Sequence, residues 1–150
     1  MGASSSVPFN KNIHLKDNTY ISYADKDACA EILYNELINA GLNVIQGRFL
    51  CETNTVNSTE LFVDYVPKIM YESDYIIICV SEKTVNSFHQ AVEINEALDS
   101  KKNIIYVFTD INFTPISTPY LNGLVCDNKW LPAYNELTLN STLDEIISLI

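Results

Sequence analysis

A single α/β domain, built on a central parallel sheet of five strands with helices on both faces, is the fold class this sequence predicts. Short β-branched or aromatic runs alternate with stretches of helical period, the pattern of strands joined by crossover helices. Tyr75-Ile76-Ile77-Ile78-Cys79-Val80 is apolar at every position, as suits a parallel strand covered on both faces. A chain of 150 residues, 47% hydrophobic, buries one substantial core and matches the size of one domain.

Residues 1–17 read as a polar, flexible leader and 18–150 as the domain. Thr19 to Tyr23 is a β-branched and aromatic run, followed by the loop Ala24-Asp25-Lys26-Asp27. Asp25 or Asp27 is placed to cap a helix carrying Ala30, Leu33, Leu37 and Ile38 on one face and stopping at Gly41. Leu42 to Ile45 makes a second strand. Gln46 to Ser58 has neither regular period and reads as a long loop, which in a compact domain is usually functional or mobile. From Thr59, the residues Leu61, Phe62, Val66, Ile69 and Met70 recur at helical spacing, with Pro67 kinking the helix or delaying its start.

After the strand Tyr75 to Val80, Ser81 to Asn86 reads as a polar loop and Ser87 as the N-cap of a helix. That helix carries a stripe of Ala91, Ile94, Ala97 and Leu98 and ends before Lys101 and Lys102. Asn103 to Phe108 is a further apolar strand. A proline-bearing loop through Thr114-Pro115 and Thr118-Pro119 precedes a weaker strand near Leu124 to Cys126, a segment containing Trp130, and a last helix from about Thr142 to Ile150. Right-handed crossovers then give a flavodoxin-like three-layer sandwich. Ligands on such sheets bind beyond the carboxyl ends of the strands, which gathers the loops after Tyr23, Ile45, Val80 and Phe108 around one crevice.

Nine Lys plus Arg against nineteen Asp plus Glu give a net charge of -10, which repels a phosphate backbone and argues against nucleic acid as a partner. Cys29, Cys51, Cys79 and Cys126 are widely spaced with no CxxC pair, which disfavours structural zinc; no metal is expected. Without a secretory apolar segment ahead of them they are expected as reduced thiols in a cytoplasmic protein. No run approaches the roughly 20 apolar residues of a bilayer span. Met1-Gly2-Ala3-Ser4-Ser5-Ser6 fits the N-myristoylation pattern, and equally a small-residue leader or a remnant of cloning. One acyl chain without a polybasic partner binds membranes only marginally, so membrane association is expected only if Gly2 is acylated.

Several segments, in order, resemble one family. Asn18 to Asp27 contains an aromatic-Ile-Ser-Tyr core followed by a polar loop; Ala40-Gly41-Leu42-Asn43-Val44 makes a turn into a strand; Ile69 to Ser81 carries a helix end, a serine turn and a strand. Ser87 is followed by Glu93 at a six-residue step, then by Ile94 and the Ala97-Leu98 pair. Together these resemble the Toll/interleukin-1 receptor (TIR) domain family over most of residues 18 to 110. The chain departs from the family where a usual Trp-Cys is His89-Gln90, where the loop after the second strand lacks a frequent Pro-Gly, and where Ala24-Asp25 replaces a frequent arginine.

The resemblance implies a hydrolase or cyclase of NAD+ in immune or defence signalling, with Glu93 as the catalytic carboxylate and NAD+ as substrate, no other cofactor being required. Nicotinamide leaves as a neutral molecule from a cationic glycoside, so one carboxylate suffices where O-glycosidases need two. Tyr20 is then a candidate to stack on the nicotinamide or adenine, and Ser22 to offer a hydroxyl near the ribose; a strand residue packed under the first helix is the equally weighted reading of both. Lys26, Arg48 and Lys83 are candidates for the pyrophosphate, though ordinary surface charges read the same way, and Ser87 and His89 for pocket lining, with His89 exposed on its helix. Trp130 is expected in the core rather than on a ligand. No GxGxxG is present, so no Rossmann-type pyrophosphate grip is expected.

Two rivals share the fold. A non-catalytic TIR scaffold would act by self-association through the Gln46 to Ser58 loop and helix faces. A nucleoside deoxyribosyltransferase-like enzyme would place a carboxylate on sugar C1′. A phosphorylatable receiver domain is excluded, because no acidic pair ends the first strand and the third ends at Val80-Ser81. Other TIR domains are the expected protein partners in either TIR reading.

Overall fold

The computed structural model describes residues 18–47, 66–100, 103–111 and 130–150. Its sheet has five parallel strands in the order β2-β1-β3-β4-β5: β1 (Asn18–Ser22), β2 (Asn43–Ile45), β3 (Tyr75–Val80), β4 (Asn103–Phe108) and β5 (Trp130–Pro132). This doubly wound order agrees with the flavodoxin-like expectation, and its topological switch point lies between β1 and β3.

Helices cover both faces. Helix α1 (Ala28–Asn39) buries Ala30, Leu33 and Leu37, residues three and four apart on one stripe. Asp27 is its N-cap, with Oδ1 accepting the Ala30 amide at 3.1 Å. The helix ends at Ala40, and Gly41 follows at φ 95°, a left-handed conformation that a side chain would strain. Ile38, expected in the buried stripe, is 42% exposed, because it lies about a quarter turn beyond Leu37 and past the sheet contact.

Residues 66–72 form helix α2, the described part of the helix expected from Thr59; the earlier residues of that helix lie outside the described ones. Helix α3 (Phe88–Ser100) and helix α4 (Glu136–Leu149) are the other α-helices given in full by the described residues. One core cluster packs Ile21, Val44, Ile77, Cys79, Ile105, Val107 and Leu131 of the sheet against α1 and α4. The opposite cluster packs Tyr20, Ile76, Ile78, Val80 and Tyr106 against α2 and α3, through Val66, Met70, Ile94 and Ala97. The period-2 alternation of the strands sends neighbouring residues into different cores, which is why β3 must be apolar throughout.

Three boundaries differ from expectation. The fifth strand is the Trp130 segment, where Pro132 is tolerated because β5 is a sheet edge; the strand expected at Leu124 to Cys126 lies outside the described residues. Trp130 is half-buried, its ring 4.8 Å from that of Tyr106. The last helix begins at Glu136 rather than Thr142, with Asn135 and Thr138 forming a reciprocal cap; Thr142 instead donates its hydroxyl to the Pro132 carbonyl. The segment after β3 is a 3-10 turn, Glu82–Asn86, closed by a Ser81/Thr84 capping box rather than an irregular loop.

No helix of the described residues is long and apolar enough to cross a membrane. Residues 1–17, with the acylation pattern, and most of the long loop after β2 lie outside the described residues.

Candidate functional site

Tyr20 and Ser22 are two apart on β1, so both side chains leave the same sheet face, toward α3. Gln90 and Glu93 are three apart on α3, so both face β1. The four side chains meet beneath the carboxyl ends of β1 and β3, at the switch point.

Glu93 is 3% exposed. Burying a carboxylate costs free energy unless donors replace its water, and two hydroxyls do so here. Ser22 Oγ donates to Oε1 at 2.8 Å, and Tyr20 Oη donates to Oε2. The amide Nε2 of Gln90 donates to the main-chain carbonyls of Ser22 at 3.3 Å and Cys79 at 2.5 Å, clamping the ends of β1 and β3 to α3. Gln90 Oε1 is buried and has no hydrogen-bond partner among the described residues.

The remaining candidates form a second group. Lys26 and Lys83 line an open depression of about 520 Å³ with Ser87 and His89, together with Asp25, Asn86 and Phe88. Lys26 reaches it from a left-handed residue of the β1 loop, at φ 66°. Ser87 caps α3 as expected, its hydroxyl accepting the Gln90 amide at 3.1 Å. Glu93 does not line this depression. It lies one helical turn beyond His89, roughly 6 Å further along the axis of α3.

The loops around the crevice are tied together. Thr109, after β4, donates to Asp27 Oδ2 at 2.6 Å and to the Val80 carbonyl at 3.2 Å. Asp110 Oδ2 accepts the Glu82 amide at 3.3 Å. Cys79, fully buried in β3, has its thiol pushed well above 9.0 by burial and then by Asp27; Cys29 is raised by burial, then Asp27 and Asp110. Cys79 is buried and Cys29 half-buried, neither in a disulfide among the described residues; Cys51 and Cys126 lie outside the described residues.

Several expectations are corrected. Tyr20 is not placed to stack on a ligand: it is fully buried, packs under α2 and α3 rather than α1, and commits its hydroxyl to Glu93. The Ser22 hydroxyl, expected near the ribose, is directed at Glu93. His89 is half-buried rather than exposed. Arg48 lies outside the described residues.

The sequence reading placed the buried stripe of α3 at Ala91, Ile94, Ala97 and Leu98, whereas the buried residues are Gln90, Glu93, Ile94 and Ala97. The spacing of three, four and seven was legible; two polar residues on a core stripe were the signal for Gln90. Gly47 was also missed. A methyl group there would lie 2.0 Å from Tyr20 Oη, so the chain leaving β2 rests against the hydroxyl that holds Glu93.

Among the described residues, no group of His, Cys, Asp and Glu side chains is arranged to hold a metal ion. A family model described as TIR domain matches residues 20–137, from β1 into the first turn of α4. None of the curated proteins compared with the chain matches it.

Proposed function

From the premise that this chain belongs to the TIR domain family, a family of signalling domains, we propose that it is an NAD+ nucleosidase whose catalytic carboxylate is Glu93. The observation that carries the reading is a buried carboxylate, fixed by two hydroxyls, at the switch point where doubly wound sheets bind ligands. Such a fixed anion in a partly dry cleft stabilises an oxocarbenium-like ribose without reorganising as charge develops.

In the proposed reaction the bond between ribose C1′ and the pyridinium nitrogen breaks, and its electron pair neutralises the departing nicotinamide. Water then attacks C1′ to give ADP-ribose and a proton; attack by an atom of the adenine moiety gives a cyclic isomer. Glu93 pairs with the developing positive charge and orders the ribose hydroxyls. Lys26 and Lys83, two cations on the rim of the adjoining depression, suit the pyrophosphate, with Ser87 and His89 lining that side. No further cofactor enters. The reading assigns the domain to the cytoplasm, with membrane attachment only through acylation of Gly2, and other TIR domains as protein partners.

One observation favours a scaffold instead. Both Glu93 oxygens already accept hydrogen bonds, and the carboxylate does not line the depression, as for a structural buried acid. Concentrated protein incubated with NAD+ and sampled chromatographically separates the readings. Nicotinamide release that falls at least about a hundredfold in Glu93→Gln, an isosteric change that keeps acceptor and volume, is the expected result. No release at any concentration, or release unaffected by the substitution, would leave the scaffold reading in place.

A further inference from the structure

We propose that Gly47 is a positioning residue for Glu93, acting through the hydroxyl of Tyr20. The proposal goes beyond the assignment of Glu93 and rests on that assignment only in its kinetic arm.

Gly47 is buried at the point where the chain leaves β2. Its backbone does not use the left-handed region, since Gly41 and Lys26 are the described residues with positive φ; what it provides is space. A Cβ built on Gly47 would lie 2.0 Å from Tyr20 Oη, 3.2 Å from Tyr20 Cζ and 2.9 Å from Val66 Cγ2. The nearest of these is an impossible contact, and the atom concerned is not the free end of a flexible chain. Tyr20 is wholly buried among Ile76, Ile78, Val80, Ile94 and Ala97, so its ring has no second position of comparable packing.

The hydroxyl must therefore move off Glu93 Oε2 to admit a side chain at Gly47. Glu93 would then keep only the Ser22 hydroxyl of this pair. Loss of the Tyr20 donor removes one of the contacts that fix the carboxylate about its terminal torsion, which is soft, so its orientation shifts. Gly47 thus lets the chain leaving β2 pass against the Tyr20 hydroxyl while Tyr20 and Ser22 hold the anion between them.

The hydroxyl is the predicted point of collision, so its removal must relieve the substitution. The test is a cycle of wild type, Gly47→Ala, Tyr20→Phe and the double variant. It is read by the carboxyl 13C resonance of Glu93, assigned with Glu93→Gln, and by kcat and KM for NAD+. Gly47→Ala should shift the resonance and lower kcat by roughly ten- to a hundredfold, with KM within about threefold. In the Tyr20→Phe background the same change should leave the resonance in place and alter kcat by less than about twofold. Crowding against Val66 is common to both backgrounds and cancels.

If Gly47→Ala does not fold, a double variant that folds supports the proposal, and one that also fails overturns it. An unshifted resonance in Gly47→Ala, or an equal further effect of that change in the Tyr20→Phe background, overturns it as well. Absence of NAD+ turnover in wild type would sink the proposed function, while the resonance would still decide the role of Gly47.

Discussion

Glu93 illustrates how burial and chemistry are separated at the level of a residue. A carboxylate in a helix is ordinarily solvated, and here Tyr20 and Ser22 stand in for water. Cys79, on the neighbouring strand, follows the opposite logic. Its thiol is neutral when protonated, and burial, reinforced by Asp27, keeps it so. Its folded pKa lies above the 9.0 of an unfolded cysteine, so its contribution to stability is present below pH 9.0 and lost as pH rises above it, because the unfolded chain then releases a proton the folded chain retains. Thermal midpoints should accordingly fall more steeply above pH 9.0 in wild type than in Cys79→Ala. Parallel curves would show that another group controls the alkaline limb.

At the scale of elements, the site is an intersection of two periodicities. The period of two on β1 turns Tyr20 and Ser22 to one face, and the 3.6 period of α3 turns Gln90 and Glu93 to meet them. Gln90 is the fastening, since one amide nitrogen serves carbonyls at the ends of both β1 and β3. Gln90→Leu fills the volume but withdraws that donor from buried carbonyls, a loss of about 1–3 kcal/mol. The expected readout is a denaturant midpoint lowered with the m-value unchanged, together with weakened NAD+ turnover; an unchanged midpoint would show that the carbonyls find other donors. The stripe on α3 was visible in the sequence, but its phase was set one position too far along. The stripe was read from apolar residues alone, and Gln90 and Glu93 are buried with it. The start of α4 was missed for a related reason: its first turn carries little apolar signal, and the Asn135–Thr138 reciprocal cap, rather than hydrophobic period, determines where it begins.

The whole molecule is two cores separated by one sheet, with the crevice at the strand ends where the β1, β3 and β4 loops are tied by Asp27, Thr109 and Asp110. The chain carries a net charge of -10, which disfavours casual self-association at low salt. The proposed enzyme, if it completes its cleft between copies as TIR domains are expected to do, should therefore turn over NAD+ with a specific activity that rises with protein concentration and with moderate salt. Specific activity independent of concentration would mean that one copy carries a complete site.

The sequence by itself determined the parallel three-layer class, the five-stranded count and the identity of Glu93 as the residue to question. These follow from local periods and ordered motifs, which are properties of neighbouring residues. Only the tertiary structure decided that Tyr20 serves the carboxylate instead of a ligand, that Gln90 joins two strands to a helix, and that Gly47 must lack a side chain. Those relations link residues 11 to 73 positions apart, set by how β1, β3, α3 and the end of β2 pack, and no local pattern encodes a distance across a core.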